Sequence, residues 1–260
     1  MSVIDRQHLA NLRKIEDEKF LAMHPKSGEF FVKAKQSMPA GVPMSWMSKW
    51  PGAYPVFVEE AKGSRFIDVD GNTYVDFCLG DTGSMTGHSP EAIATAIREQ
   101  VGRGMSTMLP SKDAATVSEE LAKRFNLPLW QFTVSATDAN RHAIRYSRLI
   151  TGKTKVIVID RCYHGSVDES FATLDSKGKT VAREGNIGAP VDLDLTTRVV
   201  AFNNLPAMKK ALANNDVAAI LMEPAMTNVG IVLPKDDYLA GVQKLAKEFG
   251  ALLILSLIHI

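Results

Sequence analysis

Three short stretches of the 260-residue chain carry residue types that could do chemistry. The first is Ser135-Ala136-Thr137-Asp138, which lies between a β-prone run, Gln131 to Val134, and a helical pattern. A helix start exposes unpaired N–H groups and the positive end of the helix dipole. Small residues at 135 and 136 let a phosphate approach the backbone, and the Ser135 and Thr137 hydroxyls can add hydrogen bonds. An ordinary capped helix uses the same residues, so this turn alone does not separate the two readings. The second stretch is Cys162-Tyr163-His164-Gly165. Tyr163 could stack on a planar ring or be a common sheet-edge aromatic. His164 is given a supporting role, and Gly165 could let a ligand pack close to the backbone. The third is Glu223-Pro224, where a carboxylate follows the apolar run V-A-A-I-L-M. It points into a ligand crevice or serves as a loop or salt-bridge residue.

These stretches need elements to hold them. Gln131 to Val134 reads as a short strand. Ala139, Ala143, Ile144 and Ser147 then recur at helical spacing, and Thr151-Gly152 ends the helix. Val156 to Ile159 is a continuous apolar run, as expected of a strand buried on both faces. Val199 to Phe202, Val217 to Met222 and Ala251 to Leu255 read as further strands. Pro206 to Ala213 and Tyr238 to Phe249 read as helices between them, and Lys177 to Pro190 as a long loop. Strands alternating with helices imply right-handed crossovers and a parallel sheet covered on both faces. In such a sheet the loops after the strands share the carboxyl edge, where ligands bind.

The N-terminal third is different. Asp5 to Met23 reads as an amphipathic helix with Leu9, Leu12, Ile15, Phe20 and Leu21 on one stripe. Ser27 to Ser37 reads as a second, capped by Ser27. Prolines and glycines break Met38 to Pro55, yet Met44, Trp46, Met47 and Trp50 make it a core cover or a pocket wall. Val56 to Glu60, Arg65 to Val69 and Thr73 to Phe77 read as strands, with Asp70-Gly71-Asn72 as a hairpin turn. Leu79 to His88 is Gly-rich but lacks G-x-G-x-x-G spacing, which weakens a dinucleotide reading; His88 reads as a packed turn residue. Ser89-Pro90-Glu91 opens a helix carrying Ile93, Ile97 and Val101, and Ala114 to Phe125 is the next helix.

Composition narrows the function classes. The chain is 45% hydrophobic and 23% charged, with a formal net charge of +1. That balance gives no electrostatic case for nucleic acid or an anionic membrane. Two cysteines, Cys78 and Cys162, make no disulfide framework and suggest a reducing, cytoplasmic setting. The first residues hold no signal-peptide core, the apolar runs are too short to span a bilayer, and no metal site is expected.

Taken together, S-A-T-D-A-N-R-H-A-I-R, T-G-K-T-K-V-I-V and C-Y-H-G resemble the class III pyridoxal-phosphate aminotransferases, from about Gln36 to Leu255. The nearest likeness is to the branch with glutamate-1-semialdehyde aminomutase and β-amino acid aminotransferases. Ala136 and Asp138 replace the family's usual Gly and Glu. F-I-D-V-D-G-N-T-Y-V-D-F is similar to the family's small-domain hairpin. E-P-A-M-T-N-V-G keeps Glu223, Pro224 and Gly230 but puts Thr227 at a usual Gly, and Asn228 matches the aminomutase branch. The resemblance implies an α/β, fold-type I PLP-transferase with a mostly parallel large-domain sheet. Residues 1–88 would supply arm helices, a substrate-side loop and the small-domain hairpin; residues 89–260 would be the first part of the large domain. It implies pyridoxal phosphate held by Ser135, Ala136, Thr137, Tyr163, His164, Glu223 and Asn228, with Trp46 on the substrate side. It also implies amino acid and oxo-acid substrates and a homodimer.

The end of the chain departs from this pattern. In the family the strand continues into D-E, whose Asp pairs with the pyridine nitrogen; here Ser256 follows Leu255. No catalytic residue is assigned within the chain. The Schiff-base lysine is expected downstream of Ile260, since Lys244 and Lys247 belong to an amphipathic helix. L-S-L-I-H-I resembles the translation of a sequencing-transposon end, so an incomplete, inactive enzyme fragment is expected. The alternatives are an intramolecular aminomutase and a lysine-free, non-catalytic partner.

Overall fold

The computed structural model describes residues 4–81, 83–186 and 192–256. By backbone packing the chain forms two units, Met1–Ser111 and Lys112–Ile260. The boundary expected at 88/89 falls inside the first of them.

In the first unit, α1 (Arg6–Met23) starts at Asp5, whose carboxylate accepts from the N–H groups of Gln7 and His8, both at 3.0 Å. None of its residues is buried, so its apolar stripe of Leu9, Leu12, Ile15 and Leu21 faces outward. α2 (Pro25–Ala34) begins two residues before the expected cap. Ser27 does not cap it. Asp70 does, accepting from the N–H groups of Lys26 and Ser27 at 2.7 and 3.0 Å and from the Ser27 hydroxyl at 2.8 Å.

Asp70 sits in the turn of an antiparallel sheet, β1 (Val58–Lys62), β2 (Arg65–Asp68) and β3 (Thr73–Val75), paired in that order. Gly71 takes the left-handed backbone that the turn needs, at φ +91°. His88 is packed as expected, its Nε2 2.6 Å from Oδ2 of Asp76. The next helix, α3 (Glu91–Val101), has Pro90 rather than Ser89 at its cap; the Ser89 hydroxyl donates instead to the carbonyl of Ala61 at 3.0 Å. Trp46 lies on a short 3-10 turn, Ser45–Lys49, in an edge-on pair with Trp50 at 5.3 Å.

The second unit follows the alternating pattern through α4 (Lys112–Phe125), α5 (Ala136–Thr151), β4 (Lys155–Ile159), β5 (Ala172–Leu174), β6 (Thr180–Ala182), β7 (Thr197–Val200), α6 (Leu205–Leu212), β8 (Val217–Met222), α7 (Tyr238–Glu248) and β9 (Leu252–Leu255). The sheet order is β7-β4-β8-β9, all parallel. Val156 to Ile159 and Val217 to Met222 are wholly buried, as expected of the two central strands of a parallel sheet; α5 packs on β8, α6 on β7 and α7 on β9. Gly152 ends α5 in the left-handed conformation, φ +67°.

Two expectations fail here. Gln131 to Val134 is not a strand: no ladder partner lies beside it among the described residues, and Val134 is 96% exposed. β propensity without a neighbouring strand to bond does not make a strand. The long loop expected from Lys177 instead contains β6, which pairs antiparallel with β5 around a turn at Asp175 to Lys179.

Candidate cofactor-binding site

The loops after β4, β8 and β9 meet the start of α5 at the carboxyl edge of the parallel sheet. Ser135 is the cap of α5: its backbone is extended and its Oγ accepts from the N–H of Asp138 at 3.2 Å. The N–H groups of Ala136 and Thr137 carry no hydrogen bond among the described residues. A helix start with two free N–H donors and two hydroxyl protons is a donor set suited to an anion.

The loop after β4 lies directly on that first turn. The N–H of Ser166 donates to Oγ1 of Thr137 at 2.9 Å. Gly165 adopts φ +79°, and a Cβ there would sit 2.3 Å from Thr137 Oγ1 and 2.9 Å from its Cα. Its missing side chain makes room for Thr137, a constraint the sequence reading did not contain.

His164 is 1% exposed, and neither ring nitrogen has a hydrogen-bond partner among the described residues. Burial pulls its pKa down to about 4, so the ring is neutral at pH 7. Its carbonyl accepts from Nδ2 of Asn140 at 3.0 Å. The same amide reaches Oγ of Ser256 at 3.3 Å, and the N–H of Ser256 extends the ladder to Met222 O at 2.9 Å. Tyr163, next in the loop, is 42% exposed, so its ring is open to a planar partner. Cys162 is buried, and desolvation, helped by the charge of Glu223, pushes its thiol up to about 12.

Glu223 is 1% exposed, and both its oxygens are engaged by the loops. Oε1 accepts from the N–H of Tyr163 at 3.4 Å; Oε2 accepts from the N–H and hydroxyl of Thr227, both at 2.9 Å. It ties the loop after β4 to the loop after β8. Asn228 follows Thr227 and is exposed, in a small turn closed by the Met226–Val232 bridge. Six of the expected residues thus share this edge with Glu223 as their tie, whereas Trp46 lies in the first unit. Asn140 and Thr227 were missed. The signal for Thr227 was a hydroxyl four residues after a buried carboxylate; Asn140 had none, because its partners lie 24 and 116 residues away. No group of three or more His, Cys, Asp or Glu could hold a metal among the described residues. No helix among them is long and apolar enough to cross a membrane.

The aminotransferase class-III family matches residues 46–258. The chain belongs to that family. It is 33% identical over 229 residues to a glutamate-1-semialdehyde 2,1-aminomutase of Methanothrix thermoacetophila, covering 88% of this chain and 53% of that protein. Among solved structures, a glutamate-1-semialdehyde-aminomutase from Pseudomonas aeruginosa PAO1 superposes with a TM-score of 0.93 at 45% identity, covering 96% of this chain and 55% of that one. A transaminase with PLP bound matches at 27% identity and TM-score 0.77, over 88% of this chain and 54% of that chain. The chain spans about half the length of the relatives it matches.

The fold is therefore that of the fold-type I PLP aminotransferases, and pyridoxal phosphate is the group that the residues of the site must fit. PLP is bound in one of these structures, and PMP in a lysine-to-alanine variant of the Pseudomonas protein. The donor set at the start of α5 fits the phosphate end of such a group. The exposed Tyr163 ring and the unpartnered, neutral His164 fit a planar ring beside them. The fit is weaker at the pyridine nitrogen, where the hydroxyl of Ser256 stands in the place that the family resemblance gives to an Asp.

Proposed function

We propose that the protein, at the full length of its relatives, transfers an amino group between an amino acid and an oxo-acid or aldehyde acceptor. The observation that carries this reading is the class III match together with the free-donor helix start at the carboxyl edge. Bound there, the cofactor supplies an electrophilic aldehyde and an electron-withdrawing ring. In this reading Ser135, Ala136 and Thr137 hold the phosphate. Tyr163 stacks on the ring, His164 packs beside it as a neutral imidazole, and Asn228 approaches its polar edge. Glu223 acts through the loops, fixing Tyr163 and Thr227. Trp46 stands on the substrate side. Residues 1–88 are the arm, loop and small-domain portion of this arrangement, and residues 89–260 belong to the large domain. The lysine that carries the cofactor is assigned to the part of the relatives' length that this chain does not span. A homodimer in a reducing, cytoplasmic setting completes the proposal.

A second reading, intramolecular amino-group movement, is favoured by the aminomutase names of the relatives and by Asn228. The experiment gives full-length protein glutamate-1-semialdehyde alone, then an amino acid with a separate oxo acid. Turnover of the single substrate without a second one supports the aminomutase. Turnover only with the pair supports the transaminase. No turnover of either, with no visible cofactor band, leaves the lysine-free, non-catalytic partner. For the site itself, Thr137→Ala should weaken pyridoxal-phosphate binding by about 1–2 kcal/mol, the scale of a hydrogen bond to a charged group. Unchanged affinity in both Thr137→Ala and Ala136→Val would place the phosphate elsewhere.

A further inference from the structure

The arginines of α5 are arranged unlike those of the other charged helices. Arg141, Arg145 and Arg148 recur at helical spacing, so they share one face. On α1, α3 and α4 an arginine meets an acid of its own helix: Arg13 meets Asp17 at 3.7 Å, Arg98 meets Glu91 at 2.5 Å and Arg124 meets Glu120 at 2.6 Å. Arg148 reaches across the fold instead. Its Nη1 donates to Oε1 of Glu169 and its Nε to the carbonyl of Thr154, both at 2.8 Å. Arg141 and Arg145 are exposed, and their guanidinium groups have no hydrogen bond or ion pair among the described residues. Like charges four positions apart on a helix repel, and nothing within the described chain offsets that cost.

Both free guanidinium groups line a cavity of about 400 Å³ between α5 and the short 3-10 turn Asp168–Ser170. That volume is within the range of small-molecule sites. The rest of its lining is the buried Ile144, the paired Arg148 and Glu169, and Asp168. The Asp168 carboxylate is also exposed and has no hydrogen bond or ion pair among the described residues. The turn that carries it is held in place: the N–H of Phe171 donates to the carbonyl of Asp168 at 3.1 Å, and the Thr197 hydroxyl to the carbonyl of Glu169 at 3.2 Å. None of the residues assigned to the cofactor lines this cavity.

The cavity therefore offers two free guanidinium groups and one free carboxylate. Each guanidinium is a planar fork of donors matched to a carboxylate. A plain anion would satisfy the arginines but face Asp168, and a plain cation would do the reverse. A molecule with two carboxylates and one ammonium meets all three groups, with a net charge opposite to theirs. We propose that this cavity binds a small amino dicarboxylate of the aspartate and glutamate kind, its carboxylates on Arg141 and Arg145 and its ammonium on Asp168. Residues four apart on a helix face set their Cβ atoms about 5–6 Å apart, close enough for both forks to serve one small molecule. The occupant bridges α5 and the loop after β4, the same two segments that Thr137 and Ser166 join at the cofactor edge. The inference is independent of the proposed transfer reaction, because it places this molecule away from the cofactor residues.

The test is equilibrium dialysis of the 260-residue chain, without cofactor, against labelled L-glutamate or L-aspartate. One saturable site is expected. Glutarate, which lacks the ammonium, and L-glutamine, which lacks the second carboxylate, should each bind about tenfold more weakly, the lower end of the scale for a lost bond to a charged group. Arg141→Gln and Arg145→Gln should each weaken L-glutamate by a similar factor, with circular dichroism and urea midpoint unchanged. Asp168→Asn should weaken L-glutamate about tenfold and leave glutarate no weaker, a crossing that a damaged fold would not produce. Added salt should weaken all of these interactions.

Failure of both amino acids to saturate a site would overturn the proposal, as would equal native affinity for glutarate and L-glutamate. Full displacement of L-glutamate by inorganic phosphate at equal concentration would mean a general anion patch, against the amino-acid reading. Binding kept in both arginine variants but lost in Asn228→Ala would place the molecule at the cofactor edge and refute the second site.

Discussion

Gly165→Ala tests the contact on which the candidate site is built. The added methyl would lie 2.3 Å from Oγ1 of Thr137, 2.9 Å from its Cα and 3.0 Å from its N, on a backbone at φ +79°. The left-handed conformation costs a residue with a Cβ about 1–2 kcal/mol. Forcing the loop off the helix start adds about 1–3 kcal/mol, as overpacking does. Loss of the bond from Ser166 N–H to Thr137 adds about 1 kcal/mol. The sum is roughly 3–6 kcal/mol of stability, read as a lower midpoint in urea unfolding. Gly178 provides the control: φ is +76° and nothing lies within 4 Å of its would-be Cβ, so Gly178→Ala should show the backbone cost alone. In a Thr137→Ala background the hydroxyl clash disappears and the backbone clash remains, so Gly165→Ala should be only partly rescued. Equal losses at 165 and 178 would refute the claim that the loop after β4 rests on the start of α5.

Other outcomes follow from the same geometry. Native protein at pH 8 should show one rapidly reacting thiol, the exposed Cys78; Cys162, buried and pushed up to about 12, should react only on unfolding, as thiol-reagent kinetics can count. Asp216→Asn should cost about 1–2 kcal/mol, since the carboxylate takes two bonds from the partly exposed Arg198 guanidinium. The hydrogen bond from Arg198 holds Asp216 below its ordinary value, so its contribution is present above 3.8 and fades as pH falls; the native-to-variant gap in unfolding midpoint should narrow on acidification. Glu223→Gln sets an amide nitrogen against an N–H donor and should cost about 2–3 kcal/mol, with faster hydrogen exchange at the Tyr163 and Thr227 amides than at the central strands.

What the sequence discloses about this chain is what local pattern can encode. The buried strands are legible because V-I-V-I and V-A-A-I-L-M satisfy both faces of a parallel sheet, and α5 is legible through Ser135 at one end and Gly152 at the other. Gln131 to Val134 misleads because strand propensity has no meaning without a ladder partner. The β5–β6 hairpin escapes notice because each strand is three residues long around a polar turn. At the site, the residue types facing the cofactor are visible, but the bonds that fix them are not. Glu223 reaches Tyr163 across 60 positions, and Asn140 reaches Ser256 across 116. The packing of Gly165 on Thr137 is hidden because the two lie 28 residues apart in the sequence and meet only in the fold.

The carboxylate of Asp70 at the start of α2 bears on how the first unit folds. The helix's own cap, His24, offers no side-chain bond to the first turn, so that turn is finished by a residue 43 to 44 positions further along. Helix nucleation is the unfavourable step, and here its last hydrogen bonds require a loop of that length to close. The β2–β3 turn needs only neighbours a few residues apart, so it can form first and present Asp70 ready-made. The start of α2 is then ordered by the hairpin rather than by its own sequence. The two become one cooperative unit, protected together or opened together, and a ribosome that has released only the first forty residues has not yet made the helix's beginning.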